Sequence, residues 1–120
     1  MALLDGDMHE LSLAQSLVQA SIDEAARHGA SRVVSVDLVI GALAGVEPEA
    51  LSFCFPVAAA GTVCDGAELR IEIEPATGRC GSCTSTSEVR DLMSSCPQCG
   101  AWPLGLTGGR EMRLRALEVT

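Results

Sequence analysis

Four of the six cysteines in this 120-residue chain fall into two C-x2-C pairs, Cys80 with Cys83 and Cys96 with Cys99, twelve residues apart. A C-x2-C turn is tight enough for both thiolates to meet one ion, and two such turns complete a tetrahedral S4 site. Zn(II) suits four thiolates without redox chemistry. Its shell is then closed to substrate, so the expected role is structural. A redox C-x-x-C instead needs an electropositive setting. Gly81-Ser82 and Pro97-Gln98 bring no charge, and Arg79 is the one basic neighbour. Four thiolates can also hold iron, although affinity favours zinc over ferrous iron.

Cys54 and Cys64 stand apart from the quartet. Cys54 reads as a small buried hydrophobe on a helix, whereas for Cys64, beside the Asp65-Gly66 turn, that reading and a functional one weigh about the same. There are two histidines. His28, next to Gly29, reads as a helix C-terminal cap favoured by the dipole. His9 lies between Met8 and Glu10 at a helix entrance, where a solvated neighbour of the cap is the plain reading and a metal ligand the alternative.

These groups need elements to hold them. Leu11, Ala14, Val18, Ile22 and Ala25 recur three or four apart and predict an amphipathic helix from Leu11 to His28, stopped by Gly29. Arg32 to Ile40 alternates with β-branched residues on both faces, which predicts a central strand. Pro48 opens a second helix carrying Leu51, Cys54, Phe55 and Ala58, and Pro56 should kink it or end it early. Glu68 to Glu74 is a strand with one wet face. Glu111 to Val119 is another, with a slip in phase near Ala116. These two strands are expected to pair antiparallel, with Glu72 or Glu74 facing Arg113 or Arg115.

Between them, residues 75–109 lose all periodicity and fill with Gly, Ser, Thr and Cys, so a metal must supply what a core cannot. The fold class is α+β: two helices packed on a three-stranded sheet, with an inserted, metal-held lobe.

Composition narrows the function. Sixteen Asp and Glu against eight Arg and no Lys give a net charge of −8, which excludes binding driven by phosphate neutralisation. Trp102, Phe53 and Phe55 are the whole aromatic complement, too few for a base-stacking platform. No run approaches the roughly 20 apolar residues of a membrane span, and Asp5 and Asp7 stand where a secretory signal carries positive charge. The expected compartment is the cytoplasm, with no nucleic-acid and no membrane partner.

Met8-His9-Glu10-Leu11-Ser12-Leu13, the segment from Gly41 to Phe55, the cysteine quartet and Glu111-Met112-Arg113-Leu114 together resemble the HypA/HybF family, in matching order from Met8 to Val119. That resemblance implies a nickel metallochaperone for maturation of [NiFe] hydrogenase. It also implies a nickel domain over residues 8–74 plus 110–120 and a zinc-ribbon-like zinc domain over residues 75–109. Carried over by position, His9 is the implied nickel ligand through its imidazole, with the backbone nitrogens of His9 and Glu10 completing a chelate. Glu10 matches the acidic third residue of the motif, and Glu47 stands where some members place a carboxylate near nickel. Imidazole and amide nitrogens suit Ni(II) in a square-planar or tetragonal field.

Family members begin at the Met of this motif, whereas Met1 to Asp7 precede it here. If the α-amine is a ligand, either translation begins at Met8, the reading preferred, or Asp5, Asp7 or a water replaces it. The implied partners are a HypB-like maturation GTPase and the hydrogenase large-subunit precursor. A zinc-ribbon interaction adaptor without a nickel role is the alternative. An enzyme is not expected, because a closed S4 site has no open position and acid and base groups are scarce.

Overall fold

The computed structural model describes residues 9–91 and 94–120, and for His9 the backbone alone. The order of elements is α1 (His9–Arg27), β1 (Val33–Gly41), α2 (Pro48–Ala59), β2 (Glu68–Glu74), β3 (Ala76–Arg79), β4 (Thr86–Val89), β5 (Gly105–Gly108) and β6 (Met112–Val119). They build two three-stranded sheets, ordered β2-β1-β6 and β4-β3-β5. The chain divides into two compact units. One comprises residues 1–39, 45–72 and 113–120, the other residues 40–44 and 73–112.

In the first unit α1 buries Leu13, Ala14, Leu17, Val18, Ser21 and Ala25. The buried stripe is rotated from the expected one: Leu11 is exposed, Ile22 only half-buried, and Leu13 and Leu17 take their places. Buried Ser21 is satisfied by donating its hydroxyl to the Leu17 carbonyl, 2.8 Å away. The helix ends where expected, through a two-bond cap. Gly29 N–H bonds to Ala26 O at 3.1 Å and Ala30 N–H to Ala25 O at 2.9 Å, with Gly29 at φ +68°. His28 sits beside this cap, exposed, with Nε2 3.1 Å from Glu24 Oε2.

Helix α2 runs through Pro56 to Ala59, which corrects the expectation of an early end, one of the two outcomes anticipated for Pro56. Leu51, Phe55 and Ala59 lie i, i+4, i+8 and are buried, and this packing outweighs the roughly 3 kcal/mol that an interior proline costs. Pro56 itself points to solvent. Phe53 and Val57 are also exposed.

Strand β1 takes the centre of its sheet, as its doubly apolar pattern requires. Arg32 and Thr120 exchange backbone hydrogen bonds at 3.4 and 3.0 Å, and Gly41 N–H reaches Glu111 O at 2.7 Å, so β1 and β6 run antiparallel. On its other side Val33 N–H meets Val63 O and Ala42 N–H meets Glu74 O, both at 2.9 Å, so β1 and β2 run parallel across the α2 crossover. The expected direct pairing of β2 with β6 is therefore wrong, because the apolar strand lies between the two charged ones. The charges nevertheless meet across it. Arg115 Nη1 is 2.7 Å from Glu72 Oε1, and Arg70 holds Asp37 at 3.2 Å, Glu118 at 3.2 Å and the Ser35 hydroxyl at 2.5 Å.

The second unit carries strands where the sequence showed no periodicity. β3 pairs antiparallel with β4, from Ala76 opposite Val89 to Arg79 opposite Thr86, and with β5 across an irregularity at Thr77/Gly78. Among the described residues its buried hydrophobic side chains are few: Ile40, Ala76, Cys80, Val89 and Cys96. Gly41, Gly109 and Ala76 crowd together here, and a Cβ at Gly109 would overlap the Cα of Ala76.

Candidate metal centre

Strand β3 ends at Arg79 and delivers Cys80 into a turn whose backbone is repeated sixteen residues later at Cys96. In each turn the N–H of the fifth residue bonds to the carbonyl of the first cysteine: Thr84 to Cys80 at 3.0 Å, Gly100 to Cys96 at 2.8 Å. Each first cysteine donates its own N–H to the sixth residue, Cys80 to Ser85 O at 2.9 Å and Cys96 to Ala101 O at 2.8 Å. The third residue turns its N–H onto the first sulfur, Ser82 at 3.3 Å and Gln98 at 3.4 Å. The fifth residue takes a positive φ in both, +62° at Thr84 and +77° at Gly100.

These twin turns bring all four sulfurs within 4.8 Å of one another. Cys80 Sγ lies 3.6 Å from Cys99 Sγ, and Cys83 Sγ lies 3.6 Å from Cys96 Sγ. A tetrahedral ion bonded to sulfur at about 2.3 Å has edges of about 3.8 Å, so the cluster fits one metal ion. Cys80 and Cys96 are buried while Cys83 and Cys99 face solvent. Among the described residues this is the group with metal-ligating geometry.

The electrostatics favour thiolates unequally. The N–H groups of Cys83 and Ser82 lower the Cys80 thiol below its ordinary range. The Ser85 hydroxyl, then the Cys99 N–H, draw Cys96 down to about 6. At Cys99 the Ala101 N–H also lowers the thiol, but Cys80, Cys83 and Cys96 crowd it and push it up to about 12. Four sulfurs this close cannot all carry charge without a cation among them. Ser85 was not legible as part of this centre. Its hydroxyl lies 3.0 Å from Cys83 Sγ and 3.4 Å from Cys96 Sγ, and the sole signal is its place two residues after Cys83.

Cys54 and Cys64 take no part. Cys64 is fully buried, and burial pushes its thiol up, toward the inert protonated form. Cys54 is half-buried on α2.

The other candidate site residues gather at the start of α1. His9 is the first residue of that helix; Met8, Asp5, Asp7 and the His9 side chain lie outside the described residues. Glu10 is half-buried, and its Oε2 accepts the Glu47 N–H at 3.2 Å. Glu47 is the N-cap of α2, and its own Oε1 accepts the Glu49 N–H at 3.4 Å. Two acids 37 residues apart in sequence are thus brought together next to His9.

Residues 8–119 match the protein family described as HypA, hydrogenase/urease nickel incorporation, metallochaperone. The chain is 42% identical to the hydrogenase maturation factor HypA of Chlorobaculum tepidum over 112 residues, covering 93% of this chain and 99% of the relative. It is 44% identical to that of Albidiferax ferrireducens over the same shares. Its fold matches the solution structure of the Ni metallochaperone HypA from Helicobacter pylori with a TM-score of 0.68 at 26% identity, over 92% of this chain and 96% of that one. A second solution structure, of HypA protein, matches with a TM-score of 0.72 at 27% identity, over 96% and 98%. With a family model matching residues 8–119 and relatives 42–44% identical over 93% of the chain, the chain belongs to the HypA family of hydrogenase maturation and nickel-incorporation metallochaperones.

Proposed function

We propose that this chain binds Ni(II) at the start of α1 and delivers it during maturation of [NiFe] hydrogenase, while Zn(II) held by Cys80, Cys83, Cys96 and Cys99 keeps the second unit folded. In this reading residues 8–74 plus 110–120 form the nickel domain and residues 75–109 the zinc domain. The observation that carries it is the contact between Glu10 and the Glu47 backbone, beside His9, in a chain of this family. His9 supplies the imidazole. The N–H groups of the first helical turn have no intrahelical acceptor, so the backbone nitrogens of His9 and Glu10 are open to an incoming ion. Glu10, fixed through its hydrogen bond, ties that turn to the N-terminus of α2, and Glu47 adds a second carboxylate at the rim.

Imidazole and amide nitrogens suit Ni(II), and a site in the first turn of a helix can release its ion without unfolding a core. The zinc ion supplies a cross-link where buried apolar residues are few. Its four sulfurs leave no coordination position for substrate, and the chain acts as a carrier and not as an enzyme. The partners are a HypB-like maturation GTPase, which brings the nucleotide chemistry, and the hydrogenase large-subunit precursor, both in the cytoplasm.

The test is Ni(II) titration of the full chain and of a version starting at Met8, each with and without His9→Ala, alongside zinc analysis. His9→Ala should abolish stoichiometric nickel binding and leave zinc content and the unfolding midpoint within about 0.5 kcal/mol of the parent. His28→Ala should leave nickel untouched. Undiminished nickel binding by the His9→Ala chain would reject the carrier mechanism.

A further inference from the structure

Helix α2 is apolar on both of its sides. Leu51, Phe55 and Ala59 are buried, and the side turned to solvent carries Phe53, Pro56 and Val57, with Glu49 and Ser52 before them. A surface helix keeps a polar outer face, and one that is apolar all round is covered all round. Phe53 is 80% exposed and Val57 66%, the two highest values among the large apolar side chains described. Glu49, Phe53 and Val57 follow one another at four-residue steps, so a carboxylate and two apolar side chains form one stripe. Pro56 shares this face and has no N–H to give the Ser52 carbonyl, which is left as an acceptor beside them.

We propose that this face of α2 is the docking surface for the protein that receives nickel, which seats Phe53 and Val57 in an apolar pocket bordered by Lys or Arg. Charge selects the border. Residues 33–69 contain no Lys or Arg, so the stretch that holds α2 offers no cation to Glu47 or Glu49. The Ser52 carbonyl likewise takes only a donor. Position selects the partner, and here the proposal rests on the carrier reading. Glu47, the N-cap of α2, is bonded through its N–H to Glu10, next to His9. Phe53 lies about 9 Å along the helix from that cap, so a protein seated on it lies beside the first turn of α1. A carrier that gives up its ion there needs its acceptor, the hydrogenase large-subunit precursor, within such a distance. Aromatic side chains are enriched at the cores of interfaces, where a few buried anchors carry most of the affinity.

Titration calorimetry of the zinc-loaded full chain with the purified hydrogenase large-subunit precursor tests this. Phe53→Ala should weaken binding at least about tenfold and Val57→Ser about threefold, whereas Phe53→Leu, which keeps an apolar anchor, should bind within about threefold of the parent. Glu49→Lys should weaken binding several-fold and flatten its dependence on salt. Nickel stoichiometry should stay that of the parent in every variant, because none of these side chains belongs to the proposed metal site. A parent chain that does not bind the precursor overturns the proposal, as does precursor affinity unchanged by Phe53→Ala and Val57→Ser. Loss of affinity for the maturation GTPase alone assigns the face to a different protein and overturns it too. Should a variant fail to show the parent's circular dichroism, amide exchange of the parent decides. Protection of α2 must rise when precursor is added, and unchanged exchange overturns the proposal equally. Nickel binding that survives His9→Ala rejects the carrier reading separately, since the precursor affinities are measured without nickel.

Discussion

At the scale of single residues, the two metal-binding turns differ in one position that their shared geometry makes comparable. Gly100 holds a positive φ without penalty, whereas Thr84 holds φ +62° with a β-branched side chain, which the left-handed region disfavours by about 1–2 kcal/mol. Thr84→Gly should therefore stabilise the metal-loaded chain by up to about 1 kcal/mol, the gain being reduced by the greater freedom of glycine when unfolded. Thermal unfolding with metal present measures it, and a loss of stability would show that the Thr84 side chain contributes more than its backbone costs. The same centre sets a pH limit. The Cys96 thiol is lowered to about 6, below the ordinary thiol value, so its thiolate contributes stability at higher pH that is lost as pH falls through about 6. Protons and metal compete for these sulfurs, and a bound cation lowers the thiol further, so the ion should stay bound at neutral pH and leave only at a pH below about 6. A chromophoric chelator follows the release, and loss of the ion above about pH 6 would contradict it.

At the scale of elements, sequence periodicity placed both helices and the body strands, and its errors have local causes. Pro56 does not end α2, because one apolar stripe, Leu51, Phe55 and Ala59, anchors the helix on both sides of it. The pairing of β2 with β6 failed because charge complementarity marks neighbours on a face but not neighbours in a ladder. Arg70 and Arg115 do meet acids, yet across or on the intervening β1. The strands β3, β4 and β5 were illegible since they are four residues each and rich in Gly, Ser and Thr. Close backbone approach, which no pattern of side chains reveals, is what Gly109 supplies. With φ +91° and Ala76 against it, Gly109→Ala should destabilise by at least about 2 kcal/mol. Denaturant unfolding measures this, and a change below about 0.5 kcal/mol would mean the crossing relaxes freely.

At the scale of the whole molecule the two units rest on different physics. The first buries Leu13, Leu17, Val18, Val36, Leu38, Leu51 and Phe55, an aliphatic core that needs no metal. In the second, Cys80 and Cys96 are themselves part of the small buried set. Removing the ion with a strong chelator should collapse protection from amide exchange over residues 73–112 while the helical circular dichroism of α1 and α2 persists. Replacing any one of Cys80, Cys83, Cys96 and Cys99 by Ser should act in the same way. Loss of the helical signal together with the metal would show that the first unit depends on the second.

The family could be read from the chain alone, because its evidence is local: a Met-His-Glu start, two C-x2-C turns and the alternation of three strands all survive as spacing. The metal-binding turns are equally local, since a closing ring of six residues fixes its own backbone. What only tertiary structure decided are the relations between segments distant in sequence. These are β1 standing between β2 and β6, Glu10 meeting the Glu47 backbone, and Ser85 meeting Cys96. Spacing fixes what neighbours in the chain can do, whereas contacts across tens of residues depend on which strand wins the buried centre of the sheet, a competition settled only when every apolar face is packed at once.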